Sequence, residues 1–483
     1  MSLATLSEPT EVELAHAPLL ASERIARQAG YGMRSAADGY LFRPTSVDEI
    51  RAILLLAKET GRQITLRGAG RSYGDANIGS ETLVVDIGRM RRILSWDPST
   101  GHIDCEGGVT IEGLWRHTIE DGYWPPVVSG TMYPTLAGAL AMNIHGKNNF
   151  RVGTLGEQVV DMDVLFPTGE LRTLTPADDL FYCVISGAGL LGVIVRVKLK
   201  MKRIHSGDLR VLATAPRNWD EQFAEFERHE PNADYMVSWV DCFGRGTESG
   251  RGQFHAAWYM DDGHEFSSSF RPEHQDLPDT IMGLVPKSVV WRFLKILNNR
   301  WGMRFINWGK DFASKTIGNN KVHPQSLVGF SFLLDYVPNW RNAYLPGGFI
   351  QYQTFVPKEH AKEVFARQVA MQQEAGLESF LGVLKRHRPD KFLFSHAVDG
   401  YSLALDFKVT RENWSRLENL CHRMNDVVLA AGGRFYFAKD STLRPSDVDA
   451  YLGGDTLSRY RRLKSELDPD ALLTHNLAKR LGL

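Results

Sequence analysis

The chain has 483 residues, 43% of them hydrophobic and 23% charged, with a net charge of -1. That length predicts two or three domains of ordinary soluble composition, and a charge this close to zero argues against electrostatic capture of nucleic acid. The four cysteines, Cys105, Cys183, Cys242 and Cys421, form no CxxC pair, which argues against a zinc site or a disulfide framework and fits a reducing compartment.

The first 20 residues carry early acids and no basic stretch, so they do not read as a signal peptide. No apolar run approaches the roughly 20 residues of a membrane helix; the longest, at 190–195, is cut by Arg196. The expected location is cytoplasmic or peripheral to a membrane. Residues 46–60 predict a helix capped by Ser46, with Glu49 three residues on and Ile50, Ile53, Leu54 and Ala57 as its apolar face. A strand at 63–67 then runs into the glycine-rich RGAGRSYGD of 67–75. Strands follow at 83–87 and 101–108, and a helix at 110–122. The stretch 131–156 holds four glycines and a His-Gly-Lys-Asn, and predicts a loop, a short helix at 137–143 and a second loop. Small residues of this kind let backbone approach a flat ligand. Strands 159–167 and 170–175 should pair across a Pro-Thr-Gly turn.

Residues 187–192 contain GxGxxG, but the glycines lead into an alternating, β-branched strand at 193–201. A dinucleotide fingerprint needs a helix there to hold a pyrophosphate, so a Rossmann reading is rejected. Beyond residue 202 the texture becomes that of a second α+β domain, with aromatic strands at 235–241, 253–259 and 349–355 and helices at 359–375 and 411–431. Residues 261–323 read as irregular: a lid, a docking surface or an ordinary long insertion.

Three blocks stand in a fixed order: RGAGRSYGD at 67–75, SGT at 129–131 running into AGALAMNIHGKN at 137–148, and SGAGLLG at 186–192. GFIQYQ at 348–353, GGRFYFAKDS at 432–441 and DPDALLTHNLAKRL at 468–481 follow. Together they resemble the vanillyl-alcohol-oxidase type of FAD-dependent oxidoreductase over nearly the whole chain, and most of all its decaprenylphosphoryl-β-D-ribose 2'-oxidase branch. The resemblance implies an α+β, two-domain flavoprotein. Its discontinuous FAD-binding domain (PCMH type) would span 20–202, a substrate or cap domain 203–433, and a C-terminal segment, 434–483, would return to the flavin.

The physical chemistry of the blocks agrees. A pyrophosphate needs several converging N–H donors, and glycine-rich turns supply them as anion-binding nests. Gly68, Ala69, Gly70, Arg71, Ser72, Tyr73 and Gly74 form the best candidate, with Gly130 and Thr131 a second group. Ala137, Gly138, Asn143, His145, Gly146 and Asn148 would bring the central stretch against the cofactor. By analogy with the family, Gly189 and Ile194 would meet the adenosine half; Tyr436 is a further cofactor contact or meets a substrate phosphate or hydroxyl. Many members of the superfamily hold FAD through a histidine at the position of Arg71, and others through a cysteine near 144–156. Neither is present, so non-covalent FAD is expected.

Oxidising a secondary alcohol requires the carbinol carbon over flavin N5, a proton acceptor and a positive charge near N1–C2=O. The resemblance assigns the charge to Lys439, with Asp440 holding it or only making a turn; without the resemblance, Lys439 reads as an exposed strand-end lysine. His145 is a proton relay or a hydrogen-bonded structural histidine. Tyr73 would stack on or bond to the ring. On the substrate side stand Lys147, Gln351, Gln353, Lys385, Ser402 and Lys439; Gln351, Gln353, Lys385 and Tyr436 read otherwise as ordinary polar strand positions. The branch usually has Asn in place of Ser402 and often Cys in place of Ala404, and it differs at Asn149 and Phe150, which opens the identity of the sugar. The implied reaction is oxidation of the ribose 2'-hydroxyl of a polyprenyl-phosphate sugar, completed as an epimerisation to arabinose by a separate NADH-dependent keto-reductase. A membrane-adjacent mouth, at 261–323, would admit the lipid. The rivals are a soluble sugar or polyol oxidase using O2, and a flavin-holding protein without turnover.

Overall fold

The computed structural model describes residues 20–261, 268–281 and 285–483. The reading of residues 1–19 as lacking a signal peptide falls outside this range, as do 262–267 and 282–284 of the expected insertion. The protein is α+β. Helix Val47–Thr60 forms where its pattern places it: Ser46 caps the Glu49 amide, Ile50, Ile53, Leu54 and Ala57 are buried, and Gly61 ends it at φ 60°. That helix flanks a mixed sheet ordered Ile25–Ala29, Ala36–Phe42, Leu83–Asp86, Ile64–Arg67, in which the last three strands run parallel.

A five-stranded antiparallel sheet follows, ordered Ile93–Asp97, His102–Glu106, Val193–Lys200, Val159–Leu165, Leu171–Leu174. Its central strand is the one that follows GxGxxG, so the rejection of a helix at that point holds. Val193, Val195, Val197 and Leu199 are buried, each burial contributing roughly 1.5–3 kcal/mol. Arg196 faces the other way and binds Asp104, Asp161 and Asp163 of the neighbouring strands at 2.6–2.9 Å.

The third sheet has eight strands, ordered Lys321–Ser326, Asp208–Thr214, Gly252–Tyr259, Tyr235–Val240, Leu381–His387, Gly400–Lys408, Phe349–Pro357, Arg434–Phe435. Helices Lys358–Ala375 and Trp414–Ala430 pack against it. Residues 285–323, expected to be irregular, instead contain helices Lys287–Leu297 and Arg300–Ala313. Their apolar periodicity was present in the sequence, hidden by basic and aromatic residues that do not look like a core.

The tail closes back on the beginning. The Ile64 amide donates to the Leu472 carbonyl at 2.6 Å, and the Thr474 amide to the Ile64 carbonyl at 2.8 Å. These contacts return the C-terminal segment to the first sheet, while Arg434–Phe435 belongs to the eight-stranded sheet. Among the described residues no helix is long and apolar enough to cross a membrane.

Candidate active site

A cavity of about 500 Å³ lies between the glycine-rich blocks and the eight-stranded sheet, a size ordinary for a cofactor or substrate site. Gly68, Ala69, Gly70, Arg71, Ser72, Tyr73, Gly130, Thr131, Ala137, Gly138, His145, Gly189 and Ile194 line it. So do Lys147, Gln351, Gln353, Lys385, Tyr436 and Lys439. The chain thus brings together residues as far apart as Gly68 and Lys439.

Helix Leu136–Ala141 has no amides to offer a ligand in its first turn. Leu136 donates to the Val109 carbonyl, Ala137 to the Gly107 carbonyl and Gly138 to the Thr135 hydroxyl. By contrast, the backbone amides of Ala69, Gly70, Arg71 and Ser72 meet no acceptor among the described residues, and the buried Arg71 Nε has no partner either. Gly70 takes φ 65° to make the turn. A run of unspent amides beside a guanidinium fits a pyrophosphate, and so fits the dinucleotide part of FAD. No cysteine is on the cavity wall.

Five expected residues do not reach the wall. The Gly74 backbone packs on Asp440, where a Cβ would sit 1.9 Å from the carbonyl oxygen. Asn143, at φ 46°, accepts from the Gly156 amide at 2.9 Å and so fastens two loops together. Gly146 lies against the Asn148 side chain, and Asn148 donates to the Pro126 carbonyl at 2.8 Å. Ser402 is fully buried behind the wall. These five shape the site from behind the wall, through the contacts they make within the protein.

Ser402 belongs to a hydrogen-bonded chain of neutral groups. His387 Nδ1 faces Asn149 Oδ1 at 3.0 Å, an acceptor only, so Nδ1 carries the proton. His387 Nε2 then accepts from the Ser402 hydroxyl at 2.8 Å. The Gln353 amide donates to Ser402 Oγ at 3.2 Å and to His145 Nε2 at 3.1 Å. His145 Nδ1 is left to donate to His396 Nε2 at 3.0 Å. Burial, then nearby lysine and histidine charges, holds His145 and His387 well below the usual imidazole range. Burial, followed by Arg434, pushes His396 to about 3. With both nitrogens of His145 engaged by the protein, its imidazole positions Gln353 and has no lone pair left for a substrate proton.

Lys439 Nζ sits 3.7 Å from the centroid of the Tyr73 ring. Burial lowers its pKa; Asp406 opposes that shift and Lys385 adds to it. Asp440 does not hold the lysine: its carboxylate binds Arg480 at 2.7 Å and the amides of Thr442 and Leu443. The opposing charge is Asp406, whose own pKa burial raises and which accepts from Gln351 at 2.5 Å. Burial also pushes Lys147 down to about 7 and Lys385 down to about 8. Lys147 donates to the Phe330 carbonyl. Among the described residues none of these three lysines forms an ion pair.

Asp406, His387 and His396 escaped the sequence reading, as did the wall residues Trp239, His255 and Lys310. Asp406 pairs directly with Gln351 across two antiparallel strands, a register that spacing along one chain does not reveal.

The model of the family described as FAD binding domain matches residues 39–175. The chain is 30% identical to decaprenylphosphoryl-beta-D-ribose oxidase of Mycolicibacterium smegmatis over 90% of its own length and 92% of the relative's. It is 25% identical to an uncharacterized protein of Streptomyces coelicolor over 78% of this chain and 100% of that one. A D-arabinono-1,4-lactone oxidase of Yarrowia lipolytica is 26% identical over 41% of this chain and 40% of the relative.

Proposed function

The chain belongs to the family of FAD-dependent oxidoreductases that includes decaprenylphosphoryl-beta-D-ribose oxidase, and on that footing we propose that it oxidises the 2'-hydroxyl of a lipid-linked ribosyl phosphate to the 2-keto sugar. The observation that carries this reading is the pair Lys147 and Lys385, which face the cavity beside Lys439 and have no ion-pair partner among the described residues. Cations left unmatched in a confined site suit an anionic ligand, such as the phosphate of a glycosyl phosphate. Gln351 and Gln353 on the same wall suit sugar hydroxyls.

Residues 69–72 would hold the pyrophosphate of FAD on their free amides. Arg71 in place of a histidine makes the attachment non-covalent; acid precipitation of the purified protein should release the yellow colour to the supernatant. When bound, FAD supplies the two-electron acceptor that takes hydride from the carbinol carbon. The protein's part is to orient the sugar through Gln351 and Gln353, the latter fixed by His145 and Ser402. The lowered pKa of Lys439 gives it a share of neutral amine near neutral pH, so it accepts the hydroxyl proton. It would become cationic in doing so, a positive charge on the cavity wall that suits the negative charge of a reduced flavin. The keto product requires a separate NADH-dependent keto-reductase to complete an epimerisation.

Anaerobic stopped-flow reduction tests the reading. A short-chain polyprenyl-phosphoryl ribose should bleach the flavin within seconds, while free ribose should not. Lys385→Met should raise the Kd of the phosphorylated substrate about tenfold or more. The inward withdrawal of Ser402 and the small Ala404 on the wall favour a second reading, an oxidase of a free sugar or polyol. Rapid bleaching by free sugars, with turnover on O2, would establish that second reading in place of the first.

A further inference from the structure

Helix Arg300–Ala313 is amphipathic in the inverted sense. Its inner side is polar: Asn307 is buried and bonds Asp241 at 3.0 Å, Asp311 is buried, and Lys310 reaches the cavity wall over the Trp239 ring. Its outer side carries Trp301, Phe305, Trp308 and Phe312, spaced four, three and four residues apart and so aligned on one face. They are 77%, 66%, 54% and 56% exposed. The Phe305, Trp308 and Phe312 rings stack in a row at about 6 Å. In the preceding helix, Lys287–Leu297, Phe293 and Ile296 are 60% and 74% exposed. Four such rings alone expose on the order of 500 Å², as much as the largest apolar patch of an ordinary monomer.

Residues 285–323 contain eight lysines and arginines against one carboxylate, Asp311. Arg292, Lys295 and Arg304 are exposed and make no ion pair among the described residues. We propose that this helix pair docks on an anionic phospholipid bilayer, the rings entering the headgroup boundary and the basic residues meeting lipid phosphates. An apolar stripe flanked by lysine and arginine is the pattern of an interfacial helix. A two-fold contact between copies of this chain fits worse, since it would set Arg292, Lys295 and Arg304 against their own counterparts. Because Lys310 of the same helix walls the cavity, docking brings the site to the membrane. Use of that proximity for substrate delivery rests on the lipid-linked reading; affinity for the bilayer does not.

The test is cosedimentation of the full-length, FAD-loaded protein with vesicles of phosphatidylcholine alone or mixed with phosphatidylglycerol. Pelleting with the mixed vesicles is expected, with a blue shift of tryptophan emission and roughly tenfold loss of binding in high salt. Trp301→Glu combined with Phe305→Glu should weaken binding at least about tenfold with the flavin spectrum unchanged, since both side chains face solvent. Arg292→Glu with Lys295→Glu should abolish the preference for anionic lipid. A parent protein that stays in the supernatant overturns the proposal. So does a Trp301→Glu, Phe305→Glu variant that pellets like the parent, or one that instead dissociates a dimer. A protein that reduces its flavin with a short-chain substrate yet ignores vesicles would refute the docking alone.

Discussion

The glycine loop offers a prediction whose size follows from distances. A Cβ added to Gly68 would lie 2.1 Å from Thr135 Oγ1, the atom that caps the Gly138 amide at 3.3 Å. Gly68→Ala therefore forces Thr135 out of its rotamer. The lost cap costs about 1 kcal/mol and the displaced β-branched rotamer roughly 0.5–1.5 kcal/mol. Against this stands a gain of about 0.4–1 kcal/mol from a less flexible unfolded chain, because Gly68 does not hold a positive φ. The net expectation is a loss of about 1 kcal/mol, with weaker FAD retention because the clash shifts the free amides. Thr135→Ala alone also costs about 1 kcal/mol through the cap. The two together should cost no more than either alone, because without Oγ1 the new methyl has nothing to strike. Urea unfolding of the four proteins, with FAD release followed by fluorescence, measures the cycle. Additive losses, or an unperturbed Gly68→Ala, would show that the contact does not shape the loop.

Lys439→Met should retain FAD but slow its reduction by substrate at least about a hundredfold in single-turnover assays. Lys147 at about 7 and Lys385 at about 8 are cationic below those values and neutral above them. Affinity for a phosphate-bearing ligand should therefore fall as pH rises through 7–8, by at most about tenfold per unit for each coupled proton. Lys385→Met should flatten the upper part of a Kd–pH curve measured by calorimetry. Stability has the opposite sign. Unfolded lysines keep their protons to about pH 10.4, so the unfolded state binds more protons above 8 and the ligand-free fold gains stability as pH rises toward 10, measurable by denaturant melts in non-nucleophilic buffers. Arg196→Met leaves Asp104, Asp161 and Asp163, whose side chains are 20–22% exposed, without their cation; partial hydration holds the cost to about 1–3 kcal/mol in urea unfolding.

Elements governed by local pattern were legible in the sequence. The Ser46 cap and apolar face of the first long helix, and the strand after GxGxxG, needed only neighbours within a few residues. The glycine loop, Lys439 and the two glutamines were recognisable by resemblance. What stayed hidden depends on pairing between distant strands. Asp406 opposes Lys439 only because strand Gly400–Lys408 lies in register with Phe349–Pro357. The engagement of both His145 nitrogens requires His396 and Gln353 to arrive from separate segments. Residues 285–323 misled for another reason. Amphipathic helices are expected to turn their apolar face inward, and here the polar side faces the protein.

Arg480 grips Asp75 at 2.8 Å and Asp440 at 2.7 Å. One residue directly follows the glycine loop and the other directly follows Lys439, so a single guanidinium fastens the two walls of the site to each other. Coenzyme occupancy and the order of the final helix are thereby linked by mass action. Loading the protein should slow protease cutting near residue 480 and amide exchange there. A ribosome-bound chain short of that residue has the loop and the lysine, joined by the Tyr73 amide on the Ala438 carbonyl, but lacks this clamp.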